Sequence, residues 1–333
     1  GMEFNKLTDV PSLHQIKQAA HQIQDIVLKS PLMYAPRLSE SFGAKIFLKR
    51  EDLQGVRSYK IRGAYHKIAN IPLDLRSCGV VAASAGNHAQ GVALSCALLG
   101  IQAYIFMPKT TPLQKVEAVR FHGKEQVRIK LIGNTYDEAF AAAQAFCQQN
   151  QAIFIPPFDD YDIIAGQATV ALEMVDQLPH PADFMLVAIG GGGLAAGSGL
   201  VLKALSPQTK LIGVEPALAP SMSESLAAHQ VVTLESIDSF VDGASVKRVG
   251  SKTFEICGEV LDRMLVVEKN VLCQTMLDLY QYYGMIVEPA GALSVAALEQ
   301  LRSEIQGKTV VCVISGGNFD TKRFPEIANW AKS

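Results

Sequence analysis

Paired cysteines are missing from this chain. Its six cysteines (Cys78, Cys96, Cys147, Cys257, Cys273 and Cys312) lie far apart, with no CxxC pair among them. That spacing argues against a disulfide framework or a zinc site and reads as reduced core thiols. The seven histidines show no metal-ligand spacing such as HExxH, so no metal is assigned. No stretch offers about 18 uninterrupted apolar residues, and the opening GMEFNKLTDVPS has no apolar signal core. Long basic runs are also missing, and a net charge of −2 argues against nucleic acid as a partner. Together these absences predict a soluble, cytoplasmic chain with neither a membrane nor a nucleic-acid partner. Gly1 ahead of Met2 reads as a cloning remnant.

What is present is a large apolar fraction. Of 333 residues, 49% are hydrophobic and 19% charged, enough for one large or two ordinary cores. Short β-rich runs alternate with helical stretches. The predicted strands are 44–49, 79–84, 102–107, 127–132, 184–189, 210–215 and 309–314, several of them near-continuous apolar runs. Strands buried on both faces have that look, and the alternation predicts an α/β fold with largely parallel sheets. Helices are predicted over 87–99, 135–149 and 160–178. The strands near 79–132 predict a compact unit and those from 184 onward a larger one, with IPPFDD (155–160) as the crossing.

Three strand ends carry candidate chemistry. AIGGGGLAAG (188–197) follows a strand and opens a helix, so Gly190 to Gly193 leave bare amides beside a helix N-terminus. Such a turn suits a phosphate. A dinucleotide is the rival reading, since GxGxxG fits loosely and Glu215 lies at a suitable distance for a ribose contact. SAGNHAQG (84–91) also opens a helix; Ser84 to His88 read either as an anion nest or as a helix cap by Ser84 or Asn87. Ser315, in ISGGN, ends the last strand, where open α/β sheets place ligands, although a lone serine at such a point is more often a turn residue. Lys60 stands in RSYKIRGA, a short basic and aromatic phrase. A lysine, a phosphate cradle, a carboxylate nest and a strand-end hydroxyl together describe a pyridoxal phosphate site.

On these motifs the chain resembles the fold-type II pyridoxal phosphate enzymes, and within them the threonine dehydratases. KREDLQGVRSYKIRGAY (49–65), SAGNHAQG, PFDDYDIIAGQAT (157–169), GGGGLAAG, FVDGASVKRVG (240–250), EPAGALSVAAL (288–298) and VVCVISGGN (310–318) follow the family order. FVDGASVKRVG points to the biosynthetic branch, which feeds isoleucine synthesis. The resemblance implies two open α/β domains with the cofactor in the cleft: a large one from 1–75 and 155–333, and a small one from 76–154. It implies that Lys60 holds the cofactor as a Schiff base and that Tyr59 lies beside the ring. Gly190, Gly191, Gly192, Gly193 and the Leu194 amide would hold the phosphate. Asn87 would meet the ring hydroxyl and Ser315 the pyridine nitrogen, while Ser84, Ala85, Gly86, Asn87 and His88 receive the substrate carboxylate. The implied reaction is β-elimination of L-threonine to 2-oxobutanoate and ammonia, with L-serine a poorer substrate giving pyruvate, in a homodimer or homotetramer.

Several positions depart from the pattern. Ala168 stands where much of the family has a second glycine. Glu215 and Ala219 match a divalent-cation site of serine racemase, but Ser221 replaces its aspartate, which puts that site in doubt. Biosynthetic relatives usually continue into a regulatory domain, so a chain ending at NWAKS is expected to lack one. Two alternatives remain: a serine racemase or serine dehydratase of the same fold, and a non-catalytic regulatory protein that binds pyridoxal phosphate. In the racemase the loop carries a second serine as acid/base, where this chain has Ala85.

Overall fold

The computed structural model describes residues 9–333. Its ten strands are β1 (Leu32–Tyr34), β2 (Lys45–Arg50), β3 (Val80–Ala83), β4 (Ala103–Met107), β5 (Val127–Leu131), β6 (Ile153–Phe154), β7 (Phe184–Ala188), β8 (Lys210–Pro216), β9 (Arg263–Val267) and β10 (Thr309–Ile314). They form a six-stranded sheet in the order β1-β2-β10-β7-β8-β9 and a four-stranded sheet in the order β5-β4-β3-β6. Every pairing is parallel except that of β1 with β2. β3 and β7 are buried at every position, as strands covered by helices on both faces must be.

All seven predicted strands are present, and three further ones are not in the prediction. β1, β6 and β9 each run along a sheet edge, where one flank has no partner strand. β1 and β6 span only three and two residues, and β9 is partly exposed, so none shows a long apolar run. The predicted helices appear as Asn87–Leu99, Tyr136–Asn150 and Tyr161–Gln177. Among the described residues no helix is long and apolar enough to cross a membrane.

Two packing decisions place the site. The helix Lys60–Ala69 contributes Ala64 and Ile68 to the core of the four-stranded sheet. It also crosses the helix Tyr161–Gln177 where Gly63 faces Gly166; a Cβ on Gly166 would fall 2.6 Å from the Gly63 Cα. Ala168, further along that second helix, lies against Gly197 of the helix Gly193–Leu205, so Gly197 supplies the small residue at this crossing. In the six-stranded sheet β10 lies between β2 and β7, so the turns after β10 and β7 emerge side by side at their carboxyl ends. That edge of an open α/β sheet is the expected place for a ligand.

Candidate active site

Ser315 and Gly190 follow these two neighbouring strands. The backbone around Lys60 is stitched to the same edge: Tyr59 N donates to Ser315 O at 3.2 Å, and Gly317 N donates to Arg57 O at 2.8 Å. Ser58 forms an isolated bridge with Gly316. The fold therefore brings Lys60, Ser315 and the glycine turn together from three distant parts of the chain. Ser315 is buried, and its hydroxyl has no hydrogen-bond partner among the described residues.

Lys60 Nζ donates to the Pro157 carbonyl at 2.8 Å and lies 5.5 Å from the centre of the Tyr59 ring. Burial pushes its pKa down to about 8, while the charge of Glu288 acts in the opposite direction. Burial also raises the Tyr59 phenol, which stays neutral.

The glycine turn is held open from behind. Gly192, at φ +103°, caps the helix Gly193–Leu205 in a left-handed conformation that suits glycine. A Cβ on Gly191 would strike the Phe158 ring at 2.0 Å. Thr253 Oγ1 donates to Gly191 O at 2.6 Å, which ties that carbonyl back. The first-turn amides of the helix have no intrahelical acceptor and stay available to an anion.

Around the SAGNHAQG loop, the cap and the nest are different atoms. Ser84 Oγ accepts from Gly86 N at 3.1 Å and from Ala89 N at 3.3 Å, so the hydroxyl serves as the cap. The Asn87 and His88 amides remain at the open end of the helix. The His88 ring turns inward, with Nε2 2.9 Å from Ile155 O, and burial pushes its pKa down to about 3. It is neutral, and its ring is not turned towards a ligand. Ala85 is half-buried and packs on the core of the four-stranded sheet.

PFDD (157–160) does more than cross between sheets. Pro157 holds Lys60, Phe158 covers Gly191, and Asp159 Oδ1 accepts from Lys252 N at 2.8 Å at the start of the helix Ser251–Val260. Asp160 caps the helix Tyr161–Gln177, with bonds of 2.8 and 3.1 Å from Asp162 N and Ile163 N.

Glu215 is engaged by the helix that follows it. Its carboxylate accepts from Met222 N at 2.7 Å and from Ser223 N and Oγ at 2.9 and 2.7 Å, which fixes it under the helix Ser221–Ala228. Burial raises its pKa to about 7. It is therefore committed to capping, not to a ribose. Ser221 Oγ donates to Val246 O at 2.9 Å, and no cluster of three metal-ligating side chains occurs among the described residues.

One residue in the cleft escaped the sequence reading. Glu288, 5% exposed, accepts from Asn87 Nδ2 at 2.7 Å. Burial raises its pKa to about 8, with Asp242 adding to the effect. A lone acid in the apolar run MIVEPAGALSVAAL was the available signal.

Comparison with known proteins gives a consistent picture. A family model described as pyridoxal-phosphate dependent enzyme matches residues 23–316. The L-threonine dehydratase biosynthetic IlvA of Bacillus subtilis (strain 168) is 50% identical over 319 residues, covering 95% of this chain and 76% of that protein. That of Lactococcus lactis subsp. lactis (strain IL1403) is 49% identical, covering 95% and 77%. Among solved structures, the processed form of threonine deaminase isoform 2 from Solanum lycopersicum superimposes with a TM-score of 0.91 at 37% identity, covering 97% of this chain and 90% of that one. Maize serine racemase follows with 0.90 at 30% identity, covering 96% and 97%.

Proposed function

Because this chain belongs to the pyridoxal-phosphate dependent enzymes, we propose that it is a threonine dehydratase, converting L-threonine to 2-oxobutanoate and ammonia, with L-serine a weaker substrate. The observation that carries the reading is the meeting of Lys60, Ser315 and the glycine turn on one sheet edge within a chain half identical to L-threonine dehydratases.

The residues suit the cofactor. Ser315 offers an unpartnered hydroxyl, the glycine turn offers the first-turn amides of a helix on a backbone that has no room for a side chain at 191, and Lys60 offers a half-buried amine. We assign Gly190 to Gly193 and the Leu194 amide to the phosphate, Ser315 to the ring nitrogen, Asn87 to the ring hydroxyl and Tyr59 to the ring's flank. When bound, pyridoxal phosphate supplies an aldehyde for covalent attachment and a sink for electrons released at the substrate α-carbon.

The protein's share is positioning and proton transfer. Burial lowers the Lys60 pKa to about 8, which makes its proton easier to give up than that of an exposed lysine. The Lys60 amine would hold the cofactor and, when released, would serve as the base for the α-proton. The Pro157 carbonyl orients it through one N–H. The amides of the Ser84–His88 loop would take the substrate carboxylate, with the Ser84 hydroxyl holding the loop's shape. A hydroxyl at position 315 would hold the ring nitrogen without favouring its protonation as a carboxylate would, and would thereby favour elimination over transamination.

The structural match to maize serine racemase supports a second reading, racemisation. That reaction needs a second acid/base opposite Lys60, and Ala85 supplies none. We further take the two sheets as the basis of a large unit (1–75 and 155–333) and a small one (76–154), and propose a cytoplasmic homodimer or homotetramer. Free cysteines and the prevalence of symmetric oligomers support the last two. The test is to supply cofactor and L-threonine and to measure ammonia and 2-oxobutanoate together. Equal release of both is expected; neither appearing would reject the reading.

A further inference from the structure

Glu288, Asn87 and Asn318 close a hydrogen-bonded ring across the cleft. Asn87 starts the helix after β3 in the four-stranded sheet; Glu288 immediately precedes the helix Pro289–Ala296, and Asn318 follows β10 in the six-stranded sheet. Asn87 Nδ2 donates to Glu288 Oε1 at 2.7 Å, and Asn318 Nδ2 donates to Asn87 Oδ1 at 2.7 Å. Asn318 N donates to Glu288 Oε2 at 3.2 Å.

Two backbone groups set the polarity of the ring. Asn318 Nδ2 also reaches the Val56 carbonyl at 2.9 Å, and a carbonyl only accepts. The Asn318 amide therefore cannot turn over, and its other N–H must meet an acceptor, Asn87 Oδ1. Asn87 then points its own NH2 at Glu288, so Oε1 must accept. At the other oxygen the Asn318 backbone N–H can only donate, so Oε2 accepts as well. Space for the carboxylate is built in: a Cβ on Gly316 would fall 2.4 Å from Oε1. No lysine, arginine or histidine among the described residues forms an ion pair with Glu288. A buried carboxyl without a countercharge destabilises its fold, so a purely structural role is the weaker account.

We propose that Glu288 and Asn318 are positioning residues that fix the Asn87 amide in one orientation and thereby set how tightly the cleft holds its cofactor. The inference rests on the reading of Asn87 as a cofactor contact.

Glu288→Gln tests it with little change of volume. A glutamine presents NH2 to one of two donors, so the ring loses its polarity whichever way the amide turns. The measurement is the dissociation constant for pyridoxal phosphate, from titration of the full chain after cofactor removal, in a cycle of Glu288→Gln, Asn87→Ala and the double variant. Each single variant should weaken binding about tenfold, and the double variant about tenfold, not a hundredfold. The melting temperature of cofactor-free Glu288→Gln should equal or exceed that of the parent. A hundredfold loss in the double variant, unchanged affinity in Glu288→Gln, or a lowered cofactor-free melting temperature would each overturn the proposal. If Glu288→Gln does not fold, the same cycle with Asn318→Ala decides between coupled and additive effects. Failure of the parent chain to bind cofactor would instead reject the functional reading, so the two failures are distinguishable.

Discussion

Arg62 and Lys60 sit two residues apart on one helix, yet the first has its guanidinium fully engaged and the second keeps its amine nearly free. Arg62 Nε and Nη2 meet Glu51 at 2.6 and 2.9 Å, and Nη1 and Nη2 meet Glu173 at 2.7 and 2.9 Å. Lys49 Nζ joins Glu173 at 2.8 Å and Gln177 at 2.9 Å. Burial pushes the Glu51 carboxyl up, but the Arg62 guanidinium outweighs it and holds the pKa below the ordinary value. The cleft is built the other way: Lys60 and Glu288 are both moved towards neutrality by burial, and neither forms an ion pair. The paired cluster clamps the Lys60 helix against the helix Tyr161–Gln177, whereas in the cleft the Lys60 amine keeps a single carbonyl partner and Glu288 holds the Asn87 amide.

The sharpest way to break that comparison is to remove one member of each set. Lys60→Ala deletes nucleophile and base together, so turnover of threonine should fall by roughly three orders of magnitude or more. Its melting temperature should stay near that of the parent. Near-normal ammonia release from this variant would show that the free amine is not the reacting group.

Arg62→Ala should do the reverse. It strands Glu51 and Glu173 without their main partner, and breaking a buried pair costs about 3–5 kcal/mol. Urea denaturation should show that loss. Activity per folded molecule should fall far less than in Lys60→Ala, because the effect on Lys60 is indirect. A shift of the urea midpoint too small to measure would mean that the cluster contributes little to stability.

The two sets also titrate with opposite signs. Glu51 has a lowered folded pKa, so its contribution is present above the ordinary value of 4.5 and is lost as pH falls through the folded value. Glu288 has a folded pKa raised from 4.5 to about 8, so stability should decline as pH rises across that window. Glu215, raised from 4.5 to about 7, adds to this decline, and His88, lowered from 6.5 to about 3, opposes it below pH 6.5. Unfolding free energy of the cofactor-free chain, measured from pH 4 to pH 8, should therefore pass through a maximum on the acid side. Glu288→Gln should make the neutral limb shallower, most clearly between pH 7 and 8, and leave the acid limb in place. An unchanged neutral limb in that variant would assign the decline to other groups.

The same contrast explains what could be read from the chain directly. β3, β7 and β10 are buried along most of their lengths and announce themselves as apolar runs. The glycine turn, the Lys60 phrase and Ser315 each lie in a continuous motif at a strand or helix end. Edge strands such as β9 carry no such signature, because half their surface faces solvent. Glu288 was hidden for a different reason: its partner Asn87 is 201 residues away, and Asn318 is 231 residues from Asn87. The Arg62–Glu173 pair spans 111 residues. Local pattern names the elements and the motifs, while polar partners that meet across the fold become visible only when the sheets are assembled.

The smallest predicted effect concerns a residue with no polar group to pair. Ser84 behaves like Arg62 on a small scale, since its oxygen accepts from Gly86 N and Ala89 N and holds the loop. Ala85 beside it offers only a methyl group. Returning a proton to the α-carbon from the face opposite Lys60 therefore has no donor at this position, and D-serine or D-allothreonine should be negligible among the products from the L-amino acids. Ala85→Ser adds an unengaged hydroxyl at the half-buried loop position while leaving the cap made by Ser84 unchanged. A trace of racemisation should then accompany elimination, detectable by chiral chromatography of the reaction mixture. D-amino acid accumulating faster than keto acid from the unmodified chain would replace the dehydratase reading with the racemase one.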